Sequence, residues 1–420
     1  MPVPTSLFPV AESFSAIGRE IGGAGVAPTT FTTIPVAAYE PEDLATWLDD
    51  KSLRGSMVPT YDVLQGPIWA GHTIPSSFVY PDTIGHILHN LFGDYSATGA
   101  AVAPNTTLTA PAVAGATTLT VAVGTSFTVG MFIQISTAAA AEIVKVLSGA
   151  STSITLDPTT PLRLNHASSD AVTNTAAPYV HLFSTQNPGY TSGAINGQPP
   201  SHTWIHRTQI PTSGNKLAVQ YAYWCLSDFE LSGNAMGACV WNGKSLSFDH
   251  AYPSALVAPA PSAIRGQPAW QSKVGIAGPA TGGTQVFQIA EWQFSWARSL
   301  EEYLTAQGSQ APYVFGRGPL GATFKLMFSP TIDESALTLM LNNTQPQVQV
   351  IQTNGLGGAA QQSIQIDALL SGFKKSKLSA AKNLFGYDVE GELIANTTNA
   401  GNSLGYSTSK VTLTNAVPTY

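Results

Sequence analysis

Charge is what this chain has least of. Its 18 Lys and Arg and 25 Asp and Glu make up 10% of 420 residues, where roughly a quarter is usual for a soluble domain. The acidic excess of seven leaves no positive field of the kind a sequence-reading nucleic-acid binder uses to neutralise phosphates. Cysteine is nearly absent as well. Cys225 and Cys239 are too few for a disulfide framework and lack the spacing of a zinc site, so they read as buried thiols. No run approaches the ~20 apolar residues of a membrane helix. The start, Met1-Pro2-Val3-Pro4-Thr5-Ser6, lacks the basic segment that opens a signal peptide, which predicts a chain made in the cytoplasm.

What is there is apolar and β-like. At 44% apolar residues the chain can bury several cores. So little charge then needs an explanation: a surface covered by other subunits, or one kept wet by Ser, Thr, Asn and Gln. Ala290, Trp292, Phe294 and Trp296 alternate with Glu291, Gln293 and Ser295, the period of a half-buried strand. The same period links Leu217, Val219, Tyr221 and Tyr223, then Phe324, Leu326 and Phe328, then Ile364 and Ile366. One helix is predicted after Tyr80-Pro81-Asp82, where Ile84, Ile87, Leu88, Leu91 and Phe92 make a single apolar stripe that stops at Gly93.

The expected fold is mainly β, a sandwich or barrel domain with one flanking helix and a small inserted all-β domain. Residues 1–30 are Gly- and Pro-rich and read as an extended arm. The large domain occupies 31–102 and resumes at 176–395. Residues 103–175, rich in Thr, Ala and Val, form the insertion, with strands at Thr118–Val123, Phe132–Ile135, Glu142–Leu147 and Ser153–Leu156. Residues 396–420 are left as a C-terminal arm. The charged stretch Pro41–Ser56 reads as a long exposed loop, or as a short helix and a loop.

Catalytic signals are weak. Gly401-Asn402-Ser403-Leu404-Gly405 has the spacing of a nucleophile elbow, but no histidine follows it. Gly237 to Ser245 ends like a phosphate loop with one residue too many between its glycines, and Asn242-Gly243 reads better as a hairpin turn. His86 with His89, and His202 with His206, each lack a nearby third metal ligand and read as solvated or packed. Lys374, Lys375, Lys377 and Lys382, without interleaved aromatics, read as a solvated loop. No catalytic, cofactor-binding or metal-binding residue is expected.

Several pieces together resemble a known family. They are Tyr39-Glu40-Pro41, Asp50-Lys51-Ser52-Leu53-Arg54-Gly55-Ser56-Met57, Tyr80-Pro81-Asp82-Thr83-Ile84-Gly85, Leu91-Phe92-Gly93-Asp94, Gln198-Pro199-Pro200-Ser201-His202-Thr203 and Leu231-Ser232-Gly233-Asn234-Ala235-Met236-Gly237. In this order the chain resembles the major tail tube proteins of long-tailed, non-contractile bacteriophages, particularly those of actinobacteria. The resemblance implies a virion protein whose copies form hexameric rings, with inner sheets joined into one barrel and rings stacked into a tube. It implies the tape measure, tail terminator and distal tail proteins as partners, and genomic DNA passing through the lumen without sequence recognition. Residues 1–30, 41–66 and 396–420 would link rings, and the insertion would stand outside.

The segment 41–57 fits such a role, because Leu44, Trp47, Leu48, Leu53 and Met57 place apolar groups among charges, with Arg54 beside them. These six are the candidate subunit contacts; the alternative is that the apolar ones fold back on their own sheet. An acidic lumen would repel DNA rather than hold it. The rival functions are a carbohydrate-binding or adhesive surface protein, a glycan-cleaving enzyme and a capsid decoration protein.

Overall fold

The computed structural model describes residues 13–52, 54, 58–137, 140–188, 197–207, 218–253, 260, 262, 264–329, 335–381 and 384–420. Among them the fold is mainly β, as the alternation predicts. Two α-helices occur, α1 (Gly85–Phe92) and α2 (Ser335–Leu341); the second, seven residues long, was not foreseen. The first strands are β1 (Phe14–Arg19), β2 (Thr32–Ile34), β3 (Glu40–Asp50), β4 (Asp62–Phe78) and β5 (Gly93–Thr107). There follow β6 (Thr118–Thr120), β7 (Phe132–Ile135), β8 (Glu142–Ala150), β9 (Ser153–Leu156) and β10 (Ala171–Thr185). Next come β11 (His202–Arg207), β12 (Ala218–Asn234), β13 (Cys239–Ser247), β14 (Lys273–Ile276), β15 (Gln285–Val286), β16 (Ile289–Ala297) and β17 (Leu300–Tyr303). The last are β18 (Val314–Arg317), β19 (Gly321–Phe328), β20 (Val348–Thr353), β21 (Ser363–Ala368), β22 (Ser371–Ala381), β23 (Leu384–Leu393) and β24 (Lys410–Asn415).

One antiparallel sheet runs β3-β4-β13-β12-β16-β19-β23-β22. Its trunk is β12: Asp228–Asn234 pair with β16, whereas Ala218–Trp224 turn to β11, which leads on to β1 and β2. A second sheet runs β15-β14-β20-β21-β24-β10, with β5 also on β10. Alternation decides which side faces the core. Trp292, Phe294, Trp296, Phe324 and Leu326 are buried, while Glu291, Thr323 and Lys325 are exposed. They share one buried cluster with Val348, Val350, Ile364, Ile366, Val411 and Leu413 of the second sheet. Each such side chain contributes about 1.5–3 kcal/mol of burial.

The helix occupies the interior rather than a flank. It touches β1 and β12 of the first sheet and β5 and β10 of the second, so His89 and Asn90 are buried as well as the apolar stripe. A side chain at Gly85 would meet the Tyr420 ring at 2.3 Å, and Gly93 ends the helix at φ 84°. Leu108, Leu119, Phe127, Ile133, Val144, Ile154 and Val172 form a separate buried cluster, reached through β5 and β10.

Several sequence expectations need correction. Residues 14–19, read as part of an arm, form β1 with Ala16 and Ile17 fully buried, and Gly18 is needed because Thr30 O lies 2.5 Å from where a Cβ would stand. The C-terminal stretch is not an arm either. Val411 and Leu413 of β24 lie in the core between β21 and β10, and buried Tyr420 donates its hydroxyl to Pro81 O at 3.2 Å. Residues 40–50 are a strand instead of a loop or helix. Lys374, Lys375 and Lys377 stand on strand β22, and Lys382 lies outside the described residues. Asn242 and Gly243 sit inside β13. The turn comes earlier, where Gly237 N donates to Asn234 O at 2.8 Å and Met236 N donates to Asn234 Oδ1 at 2.9 Å.

Candidate functional site

Strands β3 and β4 pair antiparallel as the two arms of one long hairpin. Its strands slip by a residue between Ala45 and Trp47. Gly66 accommodates that irregularity, since a side chain there would meet Thr46 Oγ1 at 2.3 Å. Trp47 is 59% exposed and Leu48 58%, so neither folds back on its own sheet, whereas Leu44 is half-buried. Val58, Val63 and Leu64 add further exposed apolar surface to the same hairpin. Arg54 stands over the Tyr61 ring, 4.9 Å from its centroid, and pairs with Asp50. Asp50 is held below the usual carboxylate range chiefly by hydrogen bonds from Ser52. Leu53 and Met57 lie outside the described residues.

This hairpin ends the first sheet on one side, and β22 ends it on the other. Each edge strand is eleven residues long. They carry opposite charge: Glu40, Glu42, Asp43, Asp49 and Asp50 on β3, Lys374, Lys375 and Lys377 on β22. Part of this charge is matched locally. Lys374 pairs with Glu392, Lys375 with Glu390 at 3.1 Å, Lys51 with Asp49 at 3.0 Å, and His250 with Asp43 at 2.6 Å. Glu40, Glu42 and Lys377 have no ion pair among the described residues. Alternation gives the sheet between these edges a polar outer face, which bears Asp228, Glu230, Glu291, Asp388, Glu390 and Glu392 with Lys244 and Lys325. Sequence reasoning separated the Lys cluster from the acidic segment because residues 51–373 intervene; only the strand order makes them the two ends of one run of strands.

The catalytic candidates are structural in their surroundings. Ser403 Oγ accepts from Asn187 N at 3.1 Å, and Ser403 N donates to Asp94 at 2.6 Å. Sequence spacing pairs His86 with His89 and His202 with His206 as solvated or packed histidines; in the structure His86, His89 and His202 pack together, at ring-centroid distances of 5.8 and 6.1 Å. Burial is the main cause that holds all three below the ordinary imidazole range, His86 down to about 3. His206 goes elsewhere, to Ser15 Oγ at 3.1 Å. No group of three or more His, Cys, Asp or Glu among the described residues is placed to hold a metal. Cys225 and Cys239 are buried thiols, and burial pushes Cys239 up to about 12. A groove of about 520 Å³ beside β15 is flanked by Trp270 and Phe287, 67% and 80% exposed, which the sequence did not single out. Among the described residues no helix is long and apolar enough to cross a membrane.

Compared with protein-family models and with curated proteins, the chain matches none.

Proposed function

We propose that this chain is a structural subunit that assembles with copies of itself, in the manner of a phage major tail tube protein. One observation supports the reading: eight strands of one eleven-stranded sheet run from β3 to β22, two strands of equal length and opposite charge whose outer sides pair with no further strand among the described residues. An open edge is a template for another chain. Because β3 and β22 differ, contact between copies is head-to-tail, and head-to-tail contacts close into rings when the rotation per copy allows. Six copies per ring and stacking of rings into a tube follow the family resemblance. The tape measure, tail terminator and distal tail proteins are the expected partners. The polar, mainly acidic face of the sheet then lines the lumen through which DNA passes, and Trp47 and Leu48 reach the neighbouring ring.

The test is a charge swap. A chain with Lys374→Glu, Lys375→Glu and Lys377→Glu stays dispersed, and so does one with Glu40→Lys and Glu42→Lys. The mixture of the two forms joined particles, because the reversed β22 meets the reversed β3. If each variant assembles alone as the unaltered chain does, edge pairing is wrong.

A second reading rests on the groove beside β15. Exposed Trp270 and Phe287 on either side of an open cleft suit the flat faces of sugars, as in a carbohydrate-binding surface protein. A glycan array bound by the unaltered chain, with binding lost in Trp270→Ala, would favour it.

A further inference from the structure

Strand β4 pairs with β13 only from Ala70 to Phe78, so the stretch from Asp62 to Trp69 runs with β3 past the end of β13. Gln310 braces this projecting ribbon. Ile68 N donates to Gln310 O at 2.9 Å, and Gln310 Nε2 donates to Gly66 O at 3.1 Å. Successive side chains on a strand point to opposite faces, which puts Leu48 and its partner Leu64 on one face of the ribbon and Trp47 and Val63 on the other. All four are exposed. The ribbon is therefore apolar on both faces, and a flat partner surface would cover only one of them; a cleft with two apolar walls covers both.

Such a cleft opens at the other end of the sheet. Strand β12 ends at Asn234, opposite Glu291 near the start of β16. The groove of about 520 Å³ lies there, lined by Ala235, Ile289 and the exposed Trp270 and Phe287. Charge is complementary as well. Lys273 is the one charged side chain on the groove wall, and it has no ion pair among the described residues. Between Trp47 and Gln65, Asp49, Asp50 and Asp62 against Lys51 and Arg54 leave one net negative charge. Asp49 and Asp50 are paired locally, whereas exposed Asp62 has no ion pair among the described residues.

We propose that the groove between Trp270 and Phe287 receives the β3–β4 ribbon of a second copy of this chain, with Asp62 facing Lys273. This rests on the assembly proposed above and supplies the surface that its exposed hairpin meets. Ribbon and groove lie at opposite ends of the strands, so their contact repeats along the strands, whereas the β3–β22 contact repeats across them. Two different surfaces joined head-to-tail without closure give an open stack. One contact makes rings and the other stacks them.

A full-length chain with Leu48→Cys and Phe287→Cys tests this under oxidation, since Cys225 and Cys239 are buried. A disulfide that joins copies is expected. Rings held only through β3 and β22 do not form it, because their ribbons all point one way and their grooves the other. Trp270→Ala with Phe287→Ala should keep the fold and the rings but weaken stacking at least about tenfold. Asp62→Lys and Lys273→Glu should each weaken stacking by about two- to fivefold, the range of an exposed ion pair, and restore it when combined. Rings that stack without the disulfide, or stack unchanged in the folded double Ala variant, overturn the groove contact and leave ring formation standing. Single particles with neither this disulfide nor a cross-link between β3 and β22 overturn both. Glycan binding that depends on Trp270, without the disulfide, gives the groove to a sugar and overturns the contact too.

Discussion

Asn90 illustrates how single polar residues fix this fold. It is fully buried on α1, donates through Nδ2 to Trp224 O at 2.9 Å and accepts from Leu226 N at 2.8 Å. Those groups lie where β12 leaves β11 for its second set of partners, so the side chain completes backbone bonding that the fork interrupts. Histidines are buried on the same principle. Burial holds His72, His86, His89, His181 and His202 below the ordinary value of 6.5, with His72 and His86 at about 3 and His181 at about 4. The unfolded chain therefore takes up protons first as the pH falls. Stability is flat above pH 6.5 and declines from there toward pH 4, by up to about 1.4 kcal/mol per pH unit for each group. Glu20 and Asp94, raised by burial, work in the opposite direction on acidification, because there the folded chain takes up the proton before the unfolded one. Urea unfolding between pH 8 and 5 checks the sign: the midpoint should hold down to about 6.5 and then drop. A midpoint that rises on acidification would show that these rings are not buried neutral.

Among elements, the β3–β4 hairpin carries the sharpest expectation. Trp47 touches solvent over most of its surface, so Trp47→Ala should change monomer stability by less than about 0.5 kcal/mol. The same change should abolish ordered assembly if the side chain anchors a neighbour. Thermal unfolding with light scattering reads both, and a folding defect without an assembly defect would contradict the role. Why this hairpin was illegible is plain from its residues. Leu44, Trp47 and Leu48 fall at i, i+3 and i+4, a helical spacing, and the register slip between Ala45 and Trp47 breaks the alternation that would have revealed a strand. Strands β16, β19 and β21 were legible because one face is buried and one is not. The alternation in Lys410–Asn415 was present but went unread in a segment taken for an arm. Helix α1 was legible as an element, yet its burial on all sides was not, since His89 and Asn90 look polar until the second sheet covers them.

For the molecule as a whole, the proposed assembly would account for both the scarcity of charge and the sheet edges at β3 and β22. A sheet continued by its neighbours needs no charged guard on its edges once joined, and in the proposed assembly the charge on β3 and β22 would set which edge meets which. The charge of the two edges was written in the sequence; their positions at opposite ends of one sheet depended on pairings between strands far apart in the chain, which no local pattern encodes. In the proposed assembly the exposed apolar groups of the hairpin and the acidic outer face of the sheet would take separate tasks, one between rings and one toward the lumen. The most direct measurement is electron microscopy of the purified chain across a wide concentration range, with a cysteine pair placed at Glu42 and Lys377 to trap β3 against β22. The account predicts rings or stacked rings with a central channel, and a disulfide that joins copies in a ladder ending at the ring size. Single particles at every concentration, with no intermolecular disulfide under oxidation, would contradict it.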